Sequence, residues 1–141
     1  TYLVGSPPER VFAQSVNVRA AGLGLGDNAC IILHHRDGSV SSIIYTSAGD
    51  RAAGKERVEV HAGGTTAVID DFRSVDIHRA GRRVLRRRWW SQQKGFPEEI
   101  AAFADGIRKG AMPIPAEEML AVALTSLRAV QSMRMETPLE V

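Results

Sequence analysis

Apolar and polar residues along the first two thirds of the chain follow a pattern of short runs separated by turns. Asp37–Gly38 lies between the apolar runs Ala29–Leu33 and Val40–Thr46, which is the strongest short-range signal for a β-hairpin. Gly63–Gly64 separates two further runs in the same way. The pattern predicts strands at Val11–Val18, Ala29–Leu33, Val40–Thr46, Val58–Ala62, Thr65–Ile69, Phe72–Arg79 and Arg82–Trp90.

The last third of the chain changes to a helical period. A first helix starts at Pro97, which suits the first turn, and ends before Gly110. A second helix is predicted from Ala116 to Met133. Each has one apolar stripe, which we predict to be core: Ile100, Phe103, Ala104 and Ile107 in the first, and Leu120, Ala123, Leu124, Leu127 and Val130 in the second. The predicted class is α+β, an open-faced, predominantly antiparallel sheet with helices packed on one face.

Composition adds few constraints to this picture. A chain of 141 residues fits a single domain, and no apolar run approaches the roughly 20 residues that span a bilayer. Cys30 is the single cysteine and lies within a predicted strand, so we expect a reducing, cytoplasmic setting. The chain begins at Thr1 without Met, and we expect it to be part of a longer protein.

The residues offer no self-contained active site. Gly22, Gly24 and Gly26 form a GxGxG loop, but an apolar strand follows it, whereas a phosphate cradle requires a helix there. No cluster of Cys, His and acidic residues has zinc-like spacing, and no GxSxG motif occurs. His34–His35 and Asp70–Asp71 are neighbours on strands, so each pair points to opposite faces. We predict no catalytic residue and no metal site in this chain.

The segment Arg82–Trp90 is the most basic part of the sequence. Between Arg73 and Lys94 there are seven arginines and one lysine against a single acid, Asp76. Arginines beside two tryptophans could bind a single-stranded nucleic acid. The favoured interpretation is an edge strand whose charges deter edge-to-edge pairing, because the net charge is only +2 and no binding motif is present.

Five segments together resemble one family. They are Asp37–Asp50, Lys55–Gly64, Thr65–Ile77, Gln93–Gly110 and Pro113–Ser132. In this order and spacing they are similar to the C-terminal domain of the glucose–fructose oxidoreductase/inositol dehydrogenase (Gfo/Idh/MocA) family. The resemblance covers roughly Val11 to Ser132.

The resemblance implies a two-domain oxidoreductase that uses NAD or NADP and acts on a sugar, cyclitol or related polyol. The cofactor and the catalytic lysine would belong to an N-terminal Rossmann domain that is absent from this chain. This chain would then be a single domain, residues 1–141, that lines the substrate pocket and forms a homo-oligomer through its open sheet face. It would bind no cofactor and catalyse no reaction alone. A different class of function, a stand-alone protein-interaction module using the same sheet face, is the alternative.

The resemblance also indicates three residues that line the substrate pocket: Lys55, Glu56 and Lys94. A lysine ammonium can hold sugar hydroxyls or a carboxylate. Many relatives have KGH where this chain has Lys94-Gly95-Phe96, which replaces a polar contact by an apolar one. In the segment that resembles the family's DDF motif, we expect Asp71 to turn the strand and Phe72 to fill the core.

Overall fold

The computed structural model describes residues 1–15, 27–50 and 52–141. The elements are β1 (Pro8–Ser15), β2 (Asn28–His35), β3 (Val40–Thr46), β4 (Arg57–Ala62), β5 (Thr65–Asp70), β6 (Ser74–Arg79), β7 (Arg82–Arg88), α1 (Phe96–Lys109), α2 (Ala116–Met135) and β8 (Leu139–Glu140). The end of the first predicted strand, residues 16–18, and the predicted glycine-rich loop up to Gly26 lie outside the described residues.

The predicted α+β class with antiparallel pairing is confirmed, and the strands divide between two sheets. The first has the order β3-β2-β1-β8 and the second the order β4-β5-β6-β7. The chain accordingly divides into two compact units. The first unit consists of Thr1–Ala48 and Gly106–Val141, and the second of Gly49–Asp105. Both predicted hairpins are confirmed as the β2–β3 and β4–β5 pairs.

The core of the first unit lies between its sheet and α2. Val11 and Ala13 of β1 are fully buried, and Leu33 of β2 and Ala129 of α2 join them. The Ala13 amide donates to the Ser132 hydroxyl of α2 (3.0 Å). Strand β8 has only two residues and pairs with β1 at residues 10 and 11, so the helix supplies the acceptor that the short strand cannot.

The face of α2 that packs on the sheet corrects the sequence prediction. The buried residues of this helix are Thr125, Ala129 and Ser132, which are small and lie at spacings of four and three. The predicted core stripe is exposed instead, with Leu120 and Leu127 each 69% accessible. Small side chains let the helix backbone come close enough for the Ser132 hydrogen bond to the strand, and leucines on that face would hold the two elements apart.

A buried histidine fastens the N-terminal segment of the first unit. His35 is 1% accessible. Its Nδ1 lies 2.9 Å from the Ser6 carbonyl, which can only accept, so Nδ1 carries a proton. Its Nε2 lies 2.8 Å from the Ser41 hydroxyl of β3. The ring thus ties β2 to the N-terminal segment and to β3.

The second unit is built around a four-stranded antiparallel meander. Directly paired residues share a face, and one face carries the apolar side chains Val58, Val60, Ala67, Ile69, Val75, Ile77 and Leu85. They are half-buried. Among the residues of this unit that the structure describes, none is buried.

The first turns of α1 belong to this second unit, and its apolar stripe is also exposed. Ile100, Phe103 and Ile107 are 69%, 62% and 67% accessible, so the prediction that this stripe is core is wrong in this structure. The pattern correctly identified a helix, with Glu98 and Glu99 in the first turn and basic residues in the last. What covers an amphipathic face depends on neighbouring elements, which periodicity does not specify.

Candidate functional site

The connection between β5 and β6 is a three-residue turn, Asp71–Arg73, with an unusual backbone. Asp71 and Phe72 have φ values of +48° and +51°. Aspartate visits the left-handed region more readily than most residues, whereas a bulky residue such as phenylalanine is an outlier there. The Arg73 amide donates to the Asp70 carbonyl (2.9 Å) and closes the turn. The turn therefore occurs where Asp71 was expected to end the strand.

The Asp71 carboxylate lies at the centre of a polar network. Its Oδ1 accepts from the Lys55 backbone amide (2.9 Å) and from the Gln92 side-chain amide (2.8 Å). Its Oδ2 accepts from Arg73 Nε (3.1 Å). The Asp71 amide donates to the Glu56 carbonyl (2.6 Å). One turn residue thus binds the segment before β4 and the segment after β7.

These contacts lower the pKa of Asp71 below its ordinary value of 3.8. The largest cause is the hydrogen bond from the Lys55 amide, which favours the charged carboxylate. The bond from Gln92 and the positive charge of Arg73 act in the same direction, and partial desolvation of the carboxylate opposes them. Asp71 is therefore held as an anion, which suits a structural acceptor and not a proton donor.

Glu56 and Lys94 form the ion pair of this region. Lys94 Nζ donates to Glu56 Oε1 at 2.7 Å, and the two side chains are 23% and 34% accessible for Lys94 and Glu56 respectively. The ammonium also lies 5.8 Å from the centre of the Phe72 ring, within cation–π range. Glu56 Oε2 is buried and has no hydrogen-bond partner among the residues that the structure describes. The pair therefore presents a partly exposed ammonium that Glu56 holds in place, while Glu56 Oε2 lies out of contact with solvent.

Backbone hydrogen bonds hold the segment that carries Lys94 against the turn. The Gln93 amide donates to the Phe72 carbonyl (2.8 Å), and the Trp89 amide donates to the Arg73 carbonyl (2.8 Å). Phe72, which was predicted to fill the core, is half-buried, with its ring facing the Lys94 ammonium. The turn residues thus contact the candidate site directly.

The structure brings two of the three predicted site residues into contact. Glu56 and Lys94 are 38 positions apart in sequence and bond directly. The Lys55 backbone joins the same network through Asp71, while its side chain is exposed. Sequence reasoning missed Gln92 and the acceptor role of the Asp71 carboxylate. Nothing in the sequence position of Gln92 indicates that it belongs to the site. For Asp71 a signal exists, because an aspartate directly after a strand favours hydrogen bonds from its side chain to the nearby backbone.

The basic strand β7 is partly neutralised within its own sheet. Asp76 of β6 lies 3.7 Å from both Arg83 and Arg86 of β7. Trp90, just beyond the strand, is fully exposed, and Trp89 is 38% accessible. As the last strand in the order of the second sheet, β7 occupies the edge position that its charges predicted.

A cavity of about 460 Å³ lies in the first unit. It is lined by the N-terminal segment, by Arg36 and by Glu117, Glu118 and Ala121 of α2. It contains none of the three predicted site residues. We take the network around Asp71 as the candidate site because charged, partly buried groups converge there.

The described ranges, 1–15, 27–50 and 52–141, contain no group of three or more His, Cys, Asp or Glu side chains placed to hold a metal ion. No helix within them has both the length and the apolar character needed to cross a membrane.

Solved structures with the same fold include sugar and polyol oxidoreductases of the Gfo/Idh/MocA type. The crystal structure of an aldose–aldose oxidoreductase from Caulobacter crescentus, complexed with glycerol, matches 99% of this chain with a TM-score of 0.76 and 17% identity. An inositol dehydrogenase homologue from Azotobacter vinelandii, complexed with NADH and myo-inositol, matches 99% with a TM-score of 0.71 and 14% identity. A UDP-N-acetylglucosamine 3-dehydrogenase from Acidithiobacillus ferrooxidans matches 92% with a TM-score of 0.70 and 19% identity.

The chain spans less than half the length of these proteins: 43%, 45% and 42% respectively. The matched part fits a C-terminal domain, which confirms the sequence resemblance at the level of the fold. No protein-family model matches the sequence, and no curated protein is significantly similar to it. Identities below a fifth establish the fold and leave the chemistry to be argued from the residues.

Proposed function

We propose that this chain is the substrate-side domain of an oxidoreductase that uses NAD or NADP and acts on a sugar, cyclitol or related polyol. The observation that carries the proposal is the match of nearly the whole chain to sugar and polyol oxidoreductases. The contact between Glu56 and Lys94 supports it, because two residues expected at the substrate meet in one place.

The chemistry divides between this chain and the rest of a longer protein. Oxidation of a polyol moves a hydride from a carbinol carbon to the nicotinamide and a proton from its hydroxyl to a base, which leaves a carbonyl. The nicotinamide supplies the hydride acceptor. We assign neither it nor the base to this chain, so purified Thr1–Val141 should not oxidise polyols.

Lys94 can bind a polyol through its ammonium, with Glu56 holding that ammonium in place. A hydroxyl group can accept from the partly exposed Lys94 ammonium, which also donates to Glu56 Oε1. The exposed Lys55 side chain is a second donor at the edge of this group. These residues bind and orient; none of them accepts the hydride.

The test uses the full natural chain that contains Thr1–Val141 and a panel of neutral polyols with NAD or NADP. Nicotinamide reduction is measured by absorbance. Lys94→Met should raise KM by about tenfold or more, since it removes a charged hydrogen-bond donor, and Glu56→Gln should raise it less. Lys109→Met and Glu9→Gln are matched controls on exposed residues outside the site.

Activity of isolated Thr1–Val141 on polyols would contradict the division of labour. Activity of the full chain with an unchanged KM in both site variants would contradict the assignment of Glu56 and Lys94. Absence of activity on every polyol would contradict the substrate class.

We also propose that a second copy of the chain covers the open face of the first sheet. Residues on this face alternate with the core positions, and Ile32, Val40 and Ile44 are 44%, 66% and 78% accessible. Cys30 lies on the same face and is exposed. An apolar sheet face of this kind favours association.

Sedimentation of the full natural chain tests this interface. Ile44→Lys should shift the protein towards a smaller species. Leu127→Lys, which also replaces an exposed aliphatic side chain by a charged one but on the exposed side of α2, should not. If the wild-type chain sediments as a monomer, or if both variants behave alike, this face is not the interface.

A further inference from the structure

The Asp71–Arg73 turn contacts both segments that carry the candidate site. Asp71 bonds to the Lys55 amide and the Glu56 carbonyl, on the side of the segment before β4. The Phe72 carbonyl accepts from the residue before Lys94. The Glu56–Lys94 ion pair joins the same two segments directly.

The turn combines a left-handed backbone with an unusual number of hydrogen bonds. Two consecutive non-glycine residues in the left-handed region persist only where the surroundings determine the conformation. Here the Asp71 carboxylate accepts three hydrogen bonds and the backbone of the turn makes four more. Tight hairpin turns of type I′ require positive φ at both central residues, and Ala80–Gly81 also has positive φ at both positions. The hydrogen bonds of the Asp71 carboxylate therefore distinguish this turn.

We propose that Asp71 is the positioning residue of the Lys55–Glu56–Lys94 group, acting through the two segments that it bonds. The inference rests on the proposed function for the claim that these three residues bind substrate. The effect of Asp71 on their arrangement can be measured without any substrate. Asp71 itself need not touch a ligand, because its two carboxylate oxygens are occupied by Lys55, Gln92 and Arg73.

The segment before β4 also packs against the end of β5 and the turn. The adjacent Asp70 is the last residue of β5 and its side chain lies beside Gly54. Gly54 in turn lies close to the Asp71 side chain, since a Cβ on Gly54 would approach Asp71 Cβ to 3.3 Å. The segment before β4 is therefore packed against Asp71 as well as bonded to it.

Three variants of the full natural chain distinguish the effect of the Asp71 carboxylate from that of the left-handed backbone. Asp71→Gly keeps the left-handed backbone and removes the carboxylate. Asp71→Asn keeps an oxygen acceptor and the left-handed preference but loses the charge. Ala80→Gly is the matched control, because Ala80 also has a positive φ, +49°, and makes no side-chain hydrogen bond.

Two measurements follow the geometry without substrate. Hydrogen exchange at the Lys55 amide reports its bond to Asp71, and limited acylation read by mass spectrometry reports access to Lys94. Asp71→Gly should speed both by about tenfold or more, and Asp71→Asn should speed exchange at Lys55 severalfold, since a charged acceptor binds about twice as strongly as a neutral one. Lys109, the third lysine of the chain, is the internal reference for acylation.

Each result of these measurements either supports or contradicts the positioning role of Asp71. Unchanged exchange and acylation in a folded Asp71→Gly protein would overturn it, and so would equal effects of Ala80→Gly. If Asp71→Gly does not fold, Asp71→Asn decides: faster exchange at Lys55 in a folded protein supports positioning, and unchanged exchange reduces Asp71 to a support of the fold. If the geometry changes as expected but Lys94→Met and Glu56→Gln both leave KM unchanged, the positioning role stands and the assignment of Glu56 and Lys94 to the substrate fails.

Discussion

Each of the two units contains a four-stranded antiparallel sheet, but the two sheets are stabilised differently. The first unit buries Val11, Ala13 and Leu33 beneath α2. The described residues of the second unit include no buried side chain, and its sheet is held by paired strands, tight turns and the network around Asp71. The difference teaches that a regular strand pattern does not imply a core; the core requires an element that can approach the sheet closely.

The largest effect is expected when one large apolar side chain is truncated in each sheet, because the two sheets differ in burial. Leu33→Ala should lower the free energy of unfolding by about 2–5 kcal/mol, because a buried leucine leaves a cavity. Ile77→Ala in the second sheet should cost only about 1 kcal/mol, since its side chain is only partly buried. Denaturant titration measures both. Equal losses would mean that the second sheet is as well packed as the first.

A smaller effect is expected where the helix bonds to the strand. Ser132→Ala removes the acceptor of the buried Ala13 amide and should cost about 1–3 kcal/mol. Ser126→Ala is the matched control, because its exposed hydroxyl bonds only to the Val122 carbonyl of its own helix. If both substitutions cost the same, the strand amide is satisfied in another way.

Acid should weaken the second unit through Asp71. Because the pKa of this carboxyl is lower in the folded protein than its ordinary 3.8, its contribution to stability is complete above that value and is lost as pH falls through the folded pKa. The difference in unfolding free energy between the wild-type chain and Asp71→Asn should therefore shrink below about pH 4. A difference that stays constant from neutral pH to pH 3 would contradict the assignment.

The smallest effect is expected at the end of the basic strand. Trp90→Ala should change stability by less than about 0.5 kcal/mol, because this side chain is fully exposed. We also expect no affinity for single-stranded oligonucleotides that falls steeply with salt, since Asp76 already engages Arg83 and Arg86. A steep salt dependence that Trp90→Ala abolishes would instead favour nucleic-acid binding.

The sequence predicted the turns and the start of a helix, because these features depend on only a few neighbouring residues. Asp37–Gly38 and Gly63–Gly64 predicted the two hairpins, and the glycines at 38, 63 and 64 all have positive φ in the structure. Pro97, Glu98 and Glu99 marked the start of α1 to within one residue. Lys55, Glu56 and Lys94 were selected through the family resemblance, and spacing alone would not have joined them.

Burial and long-range pairing were decided by the tertiary structure. The leucine stripe of α2 has the right period for a core, yet Ala129 and Ser132 face the sheet because only small residues allow the bond to Ala13. The division of the strands into two sheets and the meeting of Glu56 with Lys94 depend on contacts across many residues. Turn and helix signals act within a few positions of the chain, whereas packing depends on which surfaces come together, and one sequence pattern fits several such arrangements.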